Sequence, residues 1–295
     1  MKLSNLFNEK KLVYSFEVFP PKIESDISVI YDTLEGLKNI NPDYMSITYS
    51  AGGGSNNARS IEIASLIKNK YGIEPLAHLT CINSTKQETL NVLNKLKTEG
   101  IENVLALRGD RVAGSECTDF AHASDLVTFA KDNGFDFDFA GACYPEGHPE
   151  SVSLDEDIDN LKKKIDAGVT HLNTQLFFDN EDFYRFIDKV RAAGINVPIQ
   201  AGIMPVVKKN TITRTIAMTG TKVPSKLSRM IARFADNPDG LIEAGVLYAV
   251  DQIADIVGSG ACQGIHAYIM NNAEIAKRIT QDVKSLIDGV NNRAW

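Results

Sequence analysis

The 295-residue chain is poor in cysteine. Cys81, Cys117, Cys143 and Cys262 lie far apart and form no Cys-x-x-Cys pair. That spacing indicates neither a zinc ribbon nor a disulfide frame and leaves buried free thiols as the reading. Long apolar runs are also missing. Runs such as residues 104–107 fall far short of the roughly 20 residues a bilayer helix needs. The opening Met1-Lys2-Leu3-Ser4-Asn5 has no apolar signal core, so the chain reads as cytoplasmic, without a membrane span. Cationic excess is absent: 31 Lys and Arg face 38 Asp and Glu, a net charge of −7. General nucleic-acid binding needs clustered Lys and Arg and is therefore disfavoured. No G-x-G-x-x-G turn follows a strand, and Gly52-Gly53-Gly54 lacks the Lys-Ser/Thr of a P-loop. G-x-S-x-G and H-E-x-x-H do not occur, and no metal site is evident.

What remains is an ordinary folded composition, 43% hydrophobic, 8% aromatic and 23% charged. Short β-branched or aromatic runs alternate with helical stretches, the pattern of a parallel sheet with crossover helices. Strands are predicted at 13–19, 44–49, 74–81, 103–109, 137–144, 171–178, 197–204 and 264–271. Helices are predicted at 25–39, 86–98, 154–167 and 181–193, with Gly100, Gly168 and Gly194 as left-handed caps. Residues 209–259 hold more helix than one unit needs, and Pro224 and Pro238 divide it. Eight strand–helix units and no dinucleotide turn favour an α/β (β/α)8 TIM barrel, with extra helices before the last strand, over a doubly wound sheet. No linker interrupts the chain, so residues 1–295 read as one catalytic domain.

Barrel active sites form at strand C-terminal ends. That rule selects Glu17, Thr48, Tyr49, His78, Arg108-Gly109-Asp110, Tyr144, Glu146, His148, Gln175, Asn271 and Asn272. Glu17 is either an outward strand residue or a carboxyl aimed into the mouth, where burial raises its pKa and suits it to general-acid work. Arg108 and Asp110 are ligand contacts or a salt bridge. His78 is a core histidine or a contact, and His148 a loop residue or a contact. Gln175, if buried, must hydrogen-bond something. Phe177, Phe178, Phe183 and Phe186 read as core. The residues alone end at a barrel enzyme with a polar, carboxylate-bearing mouth.

An ordered set of segments resembles the methylenetetrahydrofolate reductase family. They are Ser15-Phe16-Glu17-Val18-Phe19-Pro20-Pro21-Lys22, Ser46-Ile47-Thr48-Tyr49, His78-Leu79-Thr80-Cys81, Leu105-Ala106-Leu107-Arg108-Gly109-Asp110 and Tyr144-Pro145-Glu146-Gly147-His148-Pro149-Glu150. Matches continue through 160–168, Thr174-Gln175-Leu176-Phe177-Phe178-Asp179 and Gly202-Ile203-Met204-Pro205, with a weaker echo at 268–274. The chain looks like the short bacterial, catalytic-domain-only form. The resemblance implies an FAD-dependent barrel that reduces 5,10-methylenetetrahydrofolate to 5-methyltetrahydrofolate by a ping-pong hydride relay, serving methionine biosynthesis. Glu17 would be the general acid, Asp110 an electrostatic partner of flavin and pterin, and Gln175 a pterin ligand. Thr48, Tyr49, Ala51, His78, Arg108, Gly109, Asp110, Ala123, Tyr144 and His148 would line the FAD site. Asp157, Asn160 and Lys164, on one helix face, would hold its ribose, pyrophosphate or adenine end. The resemblance leaves the donor open: NADH, NADPH or an electron-transfer or methyltransferase subunit, the last for a flavoprotein with little NAD(P)H activity alone. A homo-oligomer is expected. A cofactor-free lyase or aldolase using Glu17 is the reading from another class. One departure stands out: the family's Phe-Tyr-x-Leu-Asn-Arg reads Ala267-Tyr268-Ile269-Met270-Asn271-Asn272, so Asn272 replaces a folate-binding Arg. The stretch after Pro205 also lacks an aromatic for stacking.

Overall fold

In a computed structural model, which describes residues 1–21, 25–49, 55–110 and 119–292, eight parallel strands close into a barrel in sequence order. The strands are β1 (Val13–Val18), β2 (Tyr44–Ile47), β3 (Glu74–Thr80), β4 (Asn103–Leu107), β5 (Asp138–Cys143), β6 (Val169–Thr174), β7 (Ile199–Ile203) and β8 (Gly264–Tyr268). β1 pairs with both β2 and β8, which closes the ring. The (β/α)8 barrel is as expected, with strand ends trimmed. The largest shift is in the sixth strand, which starts at Val169 and ends at Thr174 instead of running to 178. The Gln175 side chain accepts from the neighbouring Leu176 N–H at 2.9 Å, and such local bonds divert a backbone from its ladder. Phe177 and Phe178 are buried from the following loop.

Helices follow most strands: α1 (Leu6–Glu9) precedes the barrel, then come α2 (Val29–Lys38), α3 (Ser55–Asn69), α4 (Lys86–Thr98), α5 (Ala123–Asp132), α6 (Leu154–Ala167) and α7 (Asn180–Ala192). Local sequence explains their ends. Thr85 and Glu88 form a reciprocal capping box on α4, and Ser153 accepts from Glu156 N–H to start α6. Gly100, Gly168 and Gly194 have φ of +72°, +119° and +82°, as left-handed stops require. α2 begins at Val29 rather than 25 because the Asp26 carboxylate takes the Ser28 N–H at 2.8 Å in a turn of its own. Between β7 and β8 the extra helix is real: α8 (Lys209–Thr219), α9 (Ser225–Arg233) and α10 (Pro238–Ser259), before the final α11 (Ala273–Asn292).

The pleat sorts side chains by parity. In β1, Tyr14, Phe16 and Val18 join the outer core beneath the helices, while Val13 belongs to an inner cluster. That inner cluster seals the lower end: Leu3, Leu6 and the partly buried Phe7 pack with Val13, Tyr44, Leu76, Leu105 and Ala140. Asn103 fixes the plug by accepting from Leu3 N–H at 2.8 Å and donating to Met1 O at 3.1 Å. Phe177 stacks on Phe183 with ring centroids 5.0 Å apart, and Phe186 is buried, so these aromatics are core. Cys81, Cys143 and Cys262 are buried; Cys117 and the Gly52–Gly54 loop lie outside the described residues. Among the described residues no helix is long and apolar enough to cross a membrane.

α10 crosses close to the segment after β7 at Gly245, where an added Cβ meets Val206 O at 2.0 Å. Gly258, on the same helix, has open space around it. Gly245→Ala should therefore lose about 2 kcal/mol or more in urea unfolding, from overpacking against rigid backbone. Gly258→Ala should gain up to about 1 kcal/mol from helix propensity. Equal effects at the two sites would contradict the close approach.

Candidate active site

The C-terminal rim opens into a cavity of about 520 Å³. Its wall is built from inward-facing residues of successive strands, including Glu17, Thr48, His78, Thr80, Asn173 and His266. Glu17 sits between two imidazoles, with Oε2 3.5 Å from His78 Nε2 and 3.7 Å from His266 Nε2. Burial pushes its pKa up, but the approach of His266, the charges of His78 and His266 and the Ser46 hydroxyl outweigh it. The carboxyl is held below its ordinary value. This corrects the sequence expectation of a raised pKa, which counted burial and not the histidines. His78 is itself pushed down to about 4, chiefly by burial, and among the described residues its buried Nε2 has no hydrogen-bond partner. It is not a satisfied core histidine.

Beneath Glu17 runs a chain of buried polar groups. Asn173 Nδ2 donates to Tyr44 Oη at 3.0 Å, and Tyr44 donates to Gln200 Oε1 at 3.1 Å. Gln200 Nε2 then donates to Ser15 Oγ at 3.0 Å. Ser15 Oγ in turn lies 2.7 Å from His266 Nδ1 and 3.4 Å from Ile265 O. The other ring nitrogen of His266, Nε2, faces Ser46 Oγ at 3.3 Å and the Glu17 carboxylate at 3.7 Å. Sequence reasoning missed His266, Ser15 and Gln200. The signal was the inward parity of Ser15 and Glu17, but the β1–β8 register that sets Ser15 opposite His266 was needed to read it.

The rim carries the other candidates. Arg108 forms a bidentate pair with Glu150, at 2.5 and 2.6 Å, so the partner of Arg108 is Glu150 and not Asp110. Asp110 is exposed at the cavity edge, and Asn83 Nδ2 donates to its backbone carbonyl at 2.7 Å. Gly109 has φ +82°, and a Cβ there would stand 2.9 Å from Thr80 Cβ, so glycine is required. Tyr144 and His148 meet edge to face at 4.8 Å. His148 Nδ1 accepts from Glu150 N–H at 3.1 Å, and burial lowers its pKa.

Asp157, Asn160 and Lys164 all line the cavity from α6, so the helix face is not merely solvated. Asp157 accepts from His148 N–H at 3.2 Å and its pKa is raised by burial. Lys164 donates to Ala142 O at 2.8 Å, and burial lowers its pKa. Asn160 accepts from Lys163 at 2.9 Å. Ala123, with His122 and Ser124, brings the first turn of α5 to the wall. Tyr49 and Gln175 line it too, while Ala51 lies outside the described residues. Asn271, Asn272 and Glu146 do other work. Asn271 exchanges two bonds with Phe19 backbone, at 3.0 and 2.8 Å. Asn272 accepts from Ile275 N–H at 3.1 Å at the start of α11. Glu146 accepts from Lys222 N–H at 3.0 Å, and burial raises its pKa. Among the described residues no group of three His, Cys, Asp or Glu is placed to hold a metal ion.

The family model described as Methylenetetrahydrofolate reductase matches residues 2–284. The chain is 36% identical to the 5,10-methylenetetrahydrofolate reductase of Escherichia coli, over 90% of this chain and 88% of that protein. It is 33% identical to Methylenetetrahydrofolate reductase 1 of Schizosaccharomyces pombe, over 92% of this chain and 46% of that one. It is also 33% identical to Methylenetetrahydrofolate reductase (NADH) 1 of Arabidopsis thaliana, over 92% and 48%. The chain thus spans about half the length of the yeast and plant relatives. A solved Clostridium thermocellum protein, described as binding two copies of 5-methyl-5,6,7,8-tetrahydrofolic acid, shares the fold with a TM-score of 0.67 at 13% identity, over 98% of this chain and 99% of that one.

Two buried histidines set an acid limit on stability. His78 and His171 are both lowered from 6.5 to about 4, burial being the main cause. Between these values the unfolded chain binds more protons, so stability is complete above about pH 6.5 and falls as pH drops toward 4, by up to about 3 kcal/mol per group. His171 lies below the cavity against Phe7, so His171→Gln leaves the site alone. Urea unfolding from pH 7 to 4 should show a shallower slope in that variant, and an unchanged slope would refute the assignment.

Proposed function

Because the chain belongs to the methylenetetrahydrofolate reductase family, we propose that it is an FAD-dependent oxidoreductase converting 5,10-methylenetetrahydrofolate to 5-methyltetrahydrofolate. One observation carries the reading: Glu17, Thr48, His78, Arg108, Tyr144 and Gln175, from six different strand ends, converge on one cavity. The lining suits a flavin dinucleotide. His78 Nε2 is a buried polar atom with no hydrogen-bond partner among the described residues. Arg108 and Lys164 offer positive charge to phosphates, and the first N–H groups of α5 have no intrahelical acceptor. Asp157 and Asn160 offer oxygens to ribose hydroxyls or the adenine amine. When bound, FAD supplies the hydride relay between a reduced donor and the folate.

The protein's own residues manage the proton and the charge. Opening the five-membered ring of the folate to its reactive iminium needs a proton on a ring nitrogen, and Glu17, the carboxyl carried by a barrel strand into the cavity, is the acid for it. Its side chain is 20% exposed in the open site. A pterin covering it removes that water and shifts the balance toward the protonated carboxyl. The His266 ring, with Nε2 3.7 Å from Oε2, keeps the carboxyl oriented. The Asp110 carboxylate offsets positive charge on the folate, and Gln175, whose oxygen is held by Leu176 N–H, presents its amide N–H groups to pterin acceptors. NADH, NADPH and a protein donor are to be tried in turn.

The purified chain should absorb near ~450 nm and release FAD; a colourless protein that rejects added FAD would overturn the proposal. Glu17→Gln should leave bleaching by the donor within about twofold, yet slow reoxidation by 5,10-methylenetetrahydrofolate by about 10²–10⁴. An equal fall in both half-reactions would remove Glu17 from the acid role.

A further inference from the structure

Asp110 lies exposed at the cavity edge, and among the described residues its carboxylate enters no salt bridge or hydrogen bond. Its direction then follows from where the main chain places Cβ and which rotamers that backbone allows. The main chain is gripped from a neighbouring connection, residues 81–86 between β3 and α4. Cys81 N–H and Ile82 N–H both donate to Arg108 O, at 3.2 and 2.9 Å. Gly109 sits against Thr80 with no room for a Cβ. Asn83 Nδ2 donates to Asp110 O at 2.7 Å; facing a carbonyl, the amide must turn its nitrogen to it. Farther along the β4–α5 connection, Lys86 N–H donates to the Asp119 carboxylate at 2.8 Å and Cys81 Sγ to His122 O at 3.5 Å. The gripping segment is itself fixed. Cys81 and Ile82 are buried, Ser84 N–H closes a turn onto Cys81 O at 3.0 Å, and Thr85 caps α4. Arg108, Gly109 and Asp110 line the cavity, whereas Asn83 stands behind them, outside the lining. Among the described residues, the Asn83 bond is the one from 81–86 to the main chain of 108–110 that a side chain makes, so a substitution can remove it alone.

We propose that Asn83 is a positioning residue for Asp110: by holding the Asp110 carbonyl it sets where the carboxylate stands at the cavity edge. The inference rests on the flavin and folate reading of that cavity. A charge acts less as distance grows and as water fills the gap. A carboxylate that swings outward therefore loses much of its influence on charge forming inside. Loss of one neutral hydrogen bond lets the population of the held geometry fall by up to about tenfold.

Asn83→Ala, Asp110→Asn and the double variant are compared with the parent, each loaded with FAD. Asn83→Ala should slow reoxidation by 5,10-methylenetetrahydrofolate by about tenfold. Added to Asp110→Asn, it should slow the reaction less than about twofold further, because the group it positions is already changed. The flavin midpoint potential should rise in Asp110→Asn, which removes a negative charge, and rise by less in Asn83→Ala. Asn83→Asp keeps the shape and loses the donor, so it should be at least as slow as Asn83→Ala. Effects that multiply in the double variant, a potential unmoved in Asn83→Ala, or parent rates in Asn83→Asp overturn the proposal. Hydrogen exchange of the chain as purified should quicken at residues 108–110 in Asn83→Ala, with the barrel strands unchanged. Exchange raised throughout the barrel, or nowhere, also overturns it. If the parent reduces no folate, the reductase reading fails. Faster exchange confined to 108–110 then still supports the hold on Asp110, and unchanged exchange overturns it.

Discussion

A carboxylate in the mouth of a barrel must be held by fixed dipoles, since water reaches it from one side only. The structure depends on how Glu17 meets that constraint. Its support passes from His266 to Ser15, then Gln200, Tyr44 and Asn173. Those residues sit on β8, β1, β7, β2 and β6. No hairpin or single βα unit could assemble the set, and only ring closure brings β8 beside β1. Each buried polar group in the chain has its donor or acceptor from the next, the condition under which such a network rigidifies an interior instead of weakening it.

Much of this was legible in the sequence. Eight apolar runs at barrel spacing, the left-handed glycines and the extra helical segment all follow from local rules, and they appear where those rules put them. Glu17, Arg108 and Gln175 could be singled out because strand ends in a barrel face the same opening. Three things were not legible. The direction of the Glu17 shift depends on His78 and His266, which are distant in sequence. The partner of Arg108 is Glu150, across a loop, because a neighbour along the chain does not point the same way. The stop of β6 at Thr174 turns on a single side-chain bond from Gln175, which the apolar run after it conceals.

The segment between β7 and β8 shows how a repeating architecture makes room for specificity. A crossover needs one helix, and α10 provides it, with Gly245 letting it sit tight against Val206. α8 and α9 are then free of the structural duty and can lie on the rim. Their apolar residues are few and clustered, enough to hold them down. Their charged residues are all of one sign, in a chain whose overall charge is opposite.

The N-terminal plug has a consequence for traffic. With Leu3, Leu6 and Phe7 packed into the lower end, the barrel is a blind tube, and Glu17 can be approached from the rim alone. Two bulky molecules cannot queue from opposite ends or pass one another inside. Whatever enters second sits on the rim side of the first and leaves before it, so the order in which molecules come and go at such a site is constrained by the shape of the vessel before any affinity is considered.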